Sequence, residues 1–172
     1  MAIAYYDDYV IKPYISPKRD LTTEEFKPVP RRNMELLSDS LLAGDIILLW
    51  RIHFGTFTNE TVFPKYFEYT YGIHAAKHLE MLLEKGYAVK EAAFDSLDHL
   101  NATQKKKILK AKHVSGLSKL KSVELDEVLR NHFTEEELGT YFSVRGILLS
   151  EKGKLALEKH HDVVDRHPKK NI

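Results

Sequence analysis

One run of this chain, Tyr87–Glu91, alternates as a strand does, a second, Val144–Leu149, is strand-like, and the long stretch between them carries helical patterns instead. With period-two alternation so scarce, a sheet has room for one short pair of strands, and that pair must close over an excursion of helices. The expected fold class is therefore mainly α with a small β-hairpin.

The elements before the first strand narrow this further. Asp45 stands where it can cap a helix whose residues Ile46, Ile47, Leu49, Trp50 and Phe54 make it mostly buried, and Gly55 ends it. Asn59–Thr61 reads as a turn, Phe63–Tyr71 is aromatic-rich with Pro64 near a helix start, and Gly72 breaks that element. His74–Lys85 follows as an amphipathic helix, with Ala76, Leu79, Leu82 and Leu83 on one face and Lys77, Glu80, Glu84 and Lys85 on the other, and Gly86 stops it. Helix, helix, Gly, helix, Gly, strand is the order of a helix-turn-helix with the start of a wing. Val144–Leu149 supplies the second half of the wing, and Ser150-Glu-Lys-Gly153 opens a closing helix toward Leu155 and Leu157.

The expected organisation is a winged-helix-like core over residues 34–91 and 143–161, a helical insertion in the wing over 92–142, an extended arm over 1–33 and a polar tail over 162–172. Four of the six prolines (Pro13, Pro17, Pro28 and Pro30) fall in the arm and disfavour regular structure there. Thr22-Thr-Glu-Glu25 has capping-box spacing, which predicts a short helical turn over 22–27. Tyr5, Tyr6, Tyr9 and Tyr14 are expected to pack on the chain's own body more than on a partner.

In the insertion, Thr103 or Asn101 can cap a helix through about Lys112 that turns Ile108 and Leu109 inward. His113–Ser118 is a loop with Gly116 as its flexible point, and a second helix carries Leu120, Val123, Leu125, Val128 and Leu129. Thr134-Glu-Glu-Glu137, another capping box, announces a third that runs toward Phe142. Charge concentrates on this insertion. Residues 101–132 sum to +5, whereas residues 1–100 sum to −4 and residues 133–172 balance, so a total of +1 conceals a segregated charge. Segregation of this kind is one footprint of a polyanion-binding surface. Lys105, Lys106 and Lys107 are consecutive, and adjacent helical positions point about 100° apart, so at least two must be exposed.

Leu100, Lys106, Ile108, Leu109 and Lys110, then Ser115-Gly116, then Lys121, Glu124, Leu125 and Leu129 make a helix, extended loop and helix that resembles a SAP domain, the small DNA-binding module. The flanks, Tyr66-Phe-Glu-Tyr-Thr-Tyr-Gly-Ile73 and Leu149-Ser-Glu-Lys-Gly153, also resemble bacterial and phage SAP-like proteins. Lys105 stands where the motif usually places an apolar residue, and the loop differs in length by one or two residues. The resemblance implies that the basic helix and loop contact the DNA backbone.

The expected function is non-catalytic binding of double-stranded DNA through Lys105, Lys106, Lys107, Lys110, Lys112, Ser115, Gly116, Lys119 and Lys121, with no sequence readout claimed. No Phe, Tyr or Trp interleaves the lysines between Leu100 and Asn131, which favours duplex over single strands. His74, Lys77, His78 and Met81 would be outermost on a recognition helix that holds two Lys and two Glu and so pulls weakly on DNA. The alternative is a protein-interaction adaptor, a phage or host regulatory protein that docks a partner or a second copy through the arm and the helical modules.

The chain has no cysteine, which excludes thiolate metal sites, cysteine nucleophiles and disulfides. His74 and His78 stand four apart but lack the HExxH arrangement, and His160, His161 and His167 are expected to mark only a solvated end, so no metal site is expected. Phosphate-loop, dinucleotide and nucleophile-elbow signatures are missing, and neither an enzyme nor a cofactor is expected. The apolar run Ile46–Trp50 is interrupted by Arg51, far short of a membrane span, and the start has no secretory pattern, which makes the cytoplasm the default location.

Overall fold

The computed structural model describes residues 5–22 and 26–168. The turn expected over 22–27 lies mostly outside the described residues. The chain is mainly helical with one small antiparallel pair of strands, and it divides into two compact units. One unit holds residues 1–54, 62–89 and 149–172, the other residues 55–61 and 90–148.

The first unit is built around α1 (Ala43–His53), whose consecutive residues Ile46, Ile47, Leu48 and Leu49 are all fully buried. Four successive positions sweep the whole circumference of a helix, so α1 must be covered on every side. The cover comes from α3 (Ala75–Glu84), α7 (Glu151–Lys159), α8 (His161–Arg166) and a 3-10 turn at Arg31–Met34. α2 (Tyr66–Tyr69) adds Phe67 to the same core. Asp45 does cap α1, but from inside it: the helix starts at Ala43, and Asp45 Oδ2 accepts the Leu42 amide at 2.9 Å.

The sequence reading of α3 is off by one residue on its inner face, where Ala75 rather than Ala76 is buried with Leu79 and Leu82. Gly86 ends it with φ +80° and the chain enters β1 (Ala88–Lys90). β1 pairs with β2 (Ile147–Leu149), so the two strand-like runs do meet across the helical excursion. Ser150 then caps α7 by accepting the Gly153 amide, as the polar helix start implied. The winged-helix reading is compatible with this element order.

The N-terminal arm packs as expected, and the C-terminal end corrects two expectations. The arm packs on its own unit: Tyr6 is 3% exposed, its hydroxyl accepts the Val29 amide, and Tyr9 donates to the Val29 carbonyl. Of the expected polar tail, residues 162–166 instead belong to α8, with Val163 and Val164 in the core. His160 and His167, read as solvated, are buried. His160 Nε2 lies 3.0 Å from Asp39, and His167 Nδ1 shares a 2.6 Å hydrogen bond with the Tyr71 hydroxyl. Burial, with Tyr66 adding to it, pushes the Tyr71 phenol up to about 12. The Val163-Val164 pair was the sequence signal for this docking, hidden among charged neighbours.

The second unit contains a 3-10 helix at Phe94–His99, α4 (Ala102–Ala111), α5 (Ser122–His132) and α6 (Glu135–Gly139). Asn101 caps α4 and Gln104 returns the bond to the Asn101 amide; Thr134 and Glu137 do the same for α6. α6 stops at Gly139, short of Phe142, where the Arg145 guanidinium takes the Gly139 carbonyl. Residues 57–59 run beside 145–147, with a bridge between Thr58 and Gly146 and a bond from the Ile147 amide to the Phe57 carbonyl. Leu97, Leu100, Ile108, Leu109, Leu117, Leu125, Leu129 and Leu138 form the core. Val123 is 79% exposed because it sits two positions before Leu125, across the helix from it.

Candidate nucleic-acid interface

α4 decides which of the sequence-predicted lysines can meet a ligand. Lys105, Ile108 and Leu109 are spaced i, i+3, i+4 and so share one face, and that face packs on α5. Lys105 is accordingly 2% exposed. Its ammonium donates to Ser122 Oγ at 2.6 Å and lies 2.6 Å from Asp126 Oδ1. The approach to Asp126 falls outside hydrogen-bond angles, so Asp126 Oδ1 is buried with charge alone to compensate it. Lys105 is thus corrected from a DNA contact to an internal one.

Lys112 is also spoken for. Its ammonium donates to Glu137 Oε2 at 2.7 Å and to the His132 carbonyl, and the Phe133 ring lies beneath it. The same contact holds the Glu137 carboxyl below its usual range, with the Thr134 amide assisting. Lys107, Lys110, Lys119 and Lys121 are exposed, and Lys106 is half-buried with its ammonium 3.4 Å from the Ser118 carbonyl. Among the described residues, the ammonium groups of Lys107, Lys110, Lys119 and Lys121 have no acidic partner.

Lys106 and Lys110, one turn apart, form one wall of a concavity of about 400 Å³. Val114, Ser115, Gly116, Leu117 and Ser118 form the other, and no acidic residue lines it. The loop can turn here because His113 and Gly116 adopt φ +64° and +77°, and Leu117 anchors it in the core. Ser115 and Gly116, both predicted, therefore stand opposite the two lysines.

The other predicted set does not come together. His74 is the N-cap of α3 and stacks edge-on against Tyr14. His78 is half-buried with Nδ1 2.7 Å from Asp45 Oδ1, and Met81 packs on the core. Lys77 alone of the four is exposed. α3 thus spends three of its four proposed reading residues on its own unit, and the two histidines serve different partners.

One cluster escaped the sequence reading. Glu91, Asp98 and His99 bring a carboxylate or imidazole atom each to within 4.8 Å of one another. A Cβ on Gly146 would fall 2.1 Å from Glu91 Oε1 and 2.8 Å from His99 Nε2, so a side chain there would displace both groups. Burial, and after it the nearby Asp98 and Asp95, push the Glu91 carboxyl above its ordinary value. Comparison with protein-family models, with curated proteins and with solved structures finds no match for this chain.

Proposed function

We propose that this chain binds double-stranded DNA without catalysis, through backbone contacts made by Lys106, Lys107, Lys110, Lys119 and Lys121 with Ser115 and Gly116. The observation that carries this is the basic concavity between α4 and the 114–118 loop, lined by cations and hydroxyls and by no acid. Charge on an exposed helical face is common; charge converging with neutral donors on one acid-free hollow is what phosphate contact requires. Exposed α3 residues are mixed in sign, which supports backbone contact over groove reading.

The adaptor reading draws on the helical modules together with an available aromatic arm. Tyr6 and Tyr9 are engaged within their own unit, and Tyr14 is held against His74, which leaves that reading with less support. Among the described residues no helix is long and apolar enough to cross a membrane, and a cytoplasmic location accompanies the DNA reading. The test is a salt titration of binding to a short duplex. Five backbone contacts predict that log K falls with log salt at a slope of about −4.5. Absence of binding at low salt overturns the proposal.

A further inference from the structure

The hollow beside α4 holds more unpaired donors than an ordinary backbone contact uses. The amides of Ser115, Gly116, Leu117, Ser118 and Lys119 have no acceptor among the described residues, although Val114 before them and Leu120 after them are bonded, to Leu109 and Leu117 carbonyls. The Ser115 and Ser118 hydroxyls and the Lys110 ammonium likewise have no partner among the described residues, and Lys106 touches only the Ser118 carbonyl. Gly116, the second residue of this run of amides, lies in the left-handed region, and successive free amides about such a residue form concave anion sites. Residues 115–118 of this run, with Lys106 and Lys110, line a space of about 400 Å³, enough for a phosphate with its attached sugar.

An internal phosphodiester carries one charge and two free oxygens, whereas a phosphomonoester carries about −1.5 to −2 and three oxygens. Two lysines with no acid beside them, together with a run of free amides and two hydroxyls, match the second. A concave seat also suits a chain end, since an internal phosphate is flanked by sugar on both sides. We propose that this concavity prefers a phosphomonoester at the end of a DNA strand to the internal phosphate it otherwise takes, while the lysines outside it meet internal phosphates. The inference rests on the DNA-binding reading and adds where on the DNA the chain sits.

The experiment uses the full chain and three hairpin duplexes with one open end, identical except that the end carries a 5′-phosphate, a 3′-phosphate or neither. At physiological salt, a phosphorylated end is expected to bind about tenfold more tightly, the worth of one added charge-assisted hydrogen bond. Lys106→Gln with Lys110→Gln should abolish that preference, and Lys154→Gln, in the other unit, should leave it. Inorganic phosphate should shift the amide resonances of residues 115–119. Equal affinity for all three ends overturns the seat while the DNA reading stands. Phosphate-induced shifts without duplex binding at any salt overturn the DNA reading, and with it a DNA end as the occupant. Tighter capture of a phosphoserine peptide than of the phosphorylated duplex also overturns the assignment.

Discussion

Replacing Lys105 with methionine separates a lysine that holds the module together from lysines that meet DNA. Methionine keeps most of the stem volume but removes the ammonium from Ser122 Oγ and Asp126, each 2.6 Å away. Breaking a fully buried ion pair from one side costs about 3–5 kcal/mol, because the remaining charge is left unsolvated. Asp126 is 31% exposed at its side chain and can turn partly to water, so about 2–3 kcal/mol is expected here. Amide hydrogen exchange in α4 and α5, at Ile108, Leu109, Leu125 and Leu129, reads this directly, with protection falling by about 30- to 150-fold. Adding Asp126→Leu should recover protection to within about 1 kcal/mol of the parent, since an apolar pair of similar volume replaces a buried ion pair at little cost. Where the variant stays folded, the salt slope of duplex binding should be unchanged. A loss of about one unit of slope with protection intact would refute the reasoning, because Lys105 would then be a phosphate contact.

Four further outcomes follow from the geometry. Gly153→Ala would place a Cβ 2.0 Å from the Tyr87 carbonyl oxygen, a backbone atom that cannot rotate away, and should cost about 3 kcal/mol or more as overpacking, read from Trp50 fluorescence on thermal unfolding. Gly116→Ala meets open space, so it should cost only the left-handed strain of about 1–2 kcal/mol, measured by exchange in the second unit, while weakening duplex binding. Because Tyr71 is held protonated to about 12, its contribution is complete below pH 10 and lost as pH rises toward 12; Tyr71→Phe should flatten the alkaline fall in melting temperature of the first unit. Glu91 is raised in the folded state, so its favourable term exists only in acid and disappears as pH rises through its folded value; Glu91→Gln should therefore raise the stability of the second unit at neutral pH and leave it little changed in strong acid.

How much of this was legible in the sequence depends on whether a signal is local. Caps and breaks at Asn101, Thr134, Ser150, Gly72 and Gly86 are local, and helices and turns form where they indicate. The pairing of two distant runs followed from their being the chain's two strand-like stretches, with helices between. The errors are tertiary. Val163 and Val164 look like a minor interruption in a charged tail until α1 is seen to need cover on every side. Lys105 occupies the apolar stripe with Ile108 and Leu109, a position its spacing discloses, but its tolerance there depends on Ser122 and Asp126 from another helix. His78 looked like an outer residue of α3 because Asp45, its partner, is far off in sequence. The lysine block was legible as charge; its sorting into Lys106 and Lys110 at the hollow, Lys105 inside and Lys112 tied to Glu137 was not.

The salt dependence of duplex binding, measured for the parent and for single glutamine variants of Lys106, Lys107, Lys110, Lys119 and Lys121, tests the central claim most directly. The parent slope should be about −4.5, and each variant should flatten it by about 0.9, whereas Lys112→Gln should leave it unchanged. Failure of the parent to bind duplex at low salt, or a slope indifferent to all five variants, would contradict the account.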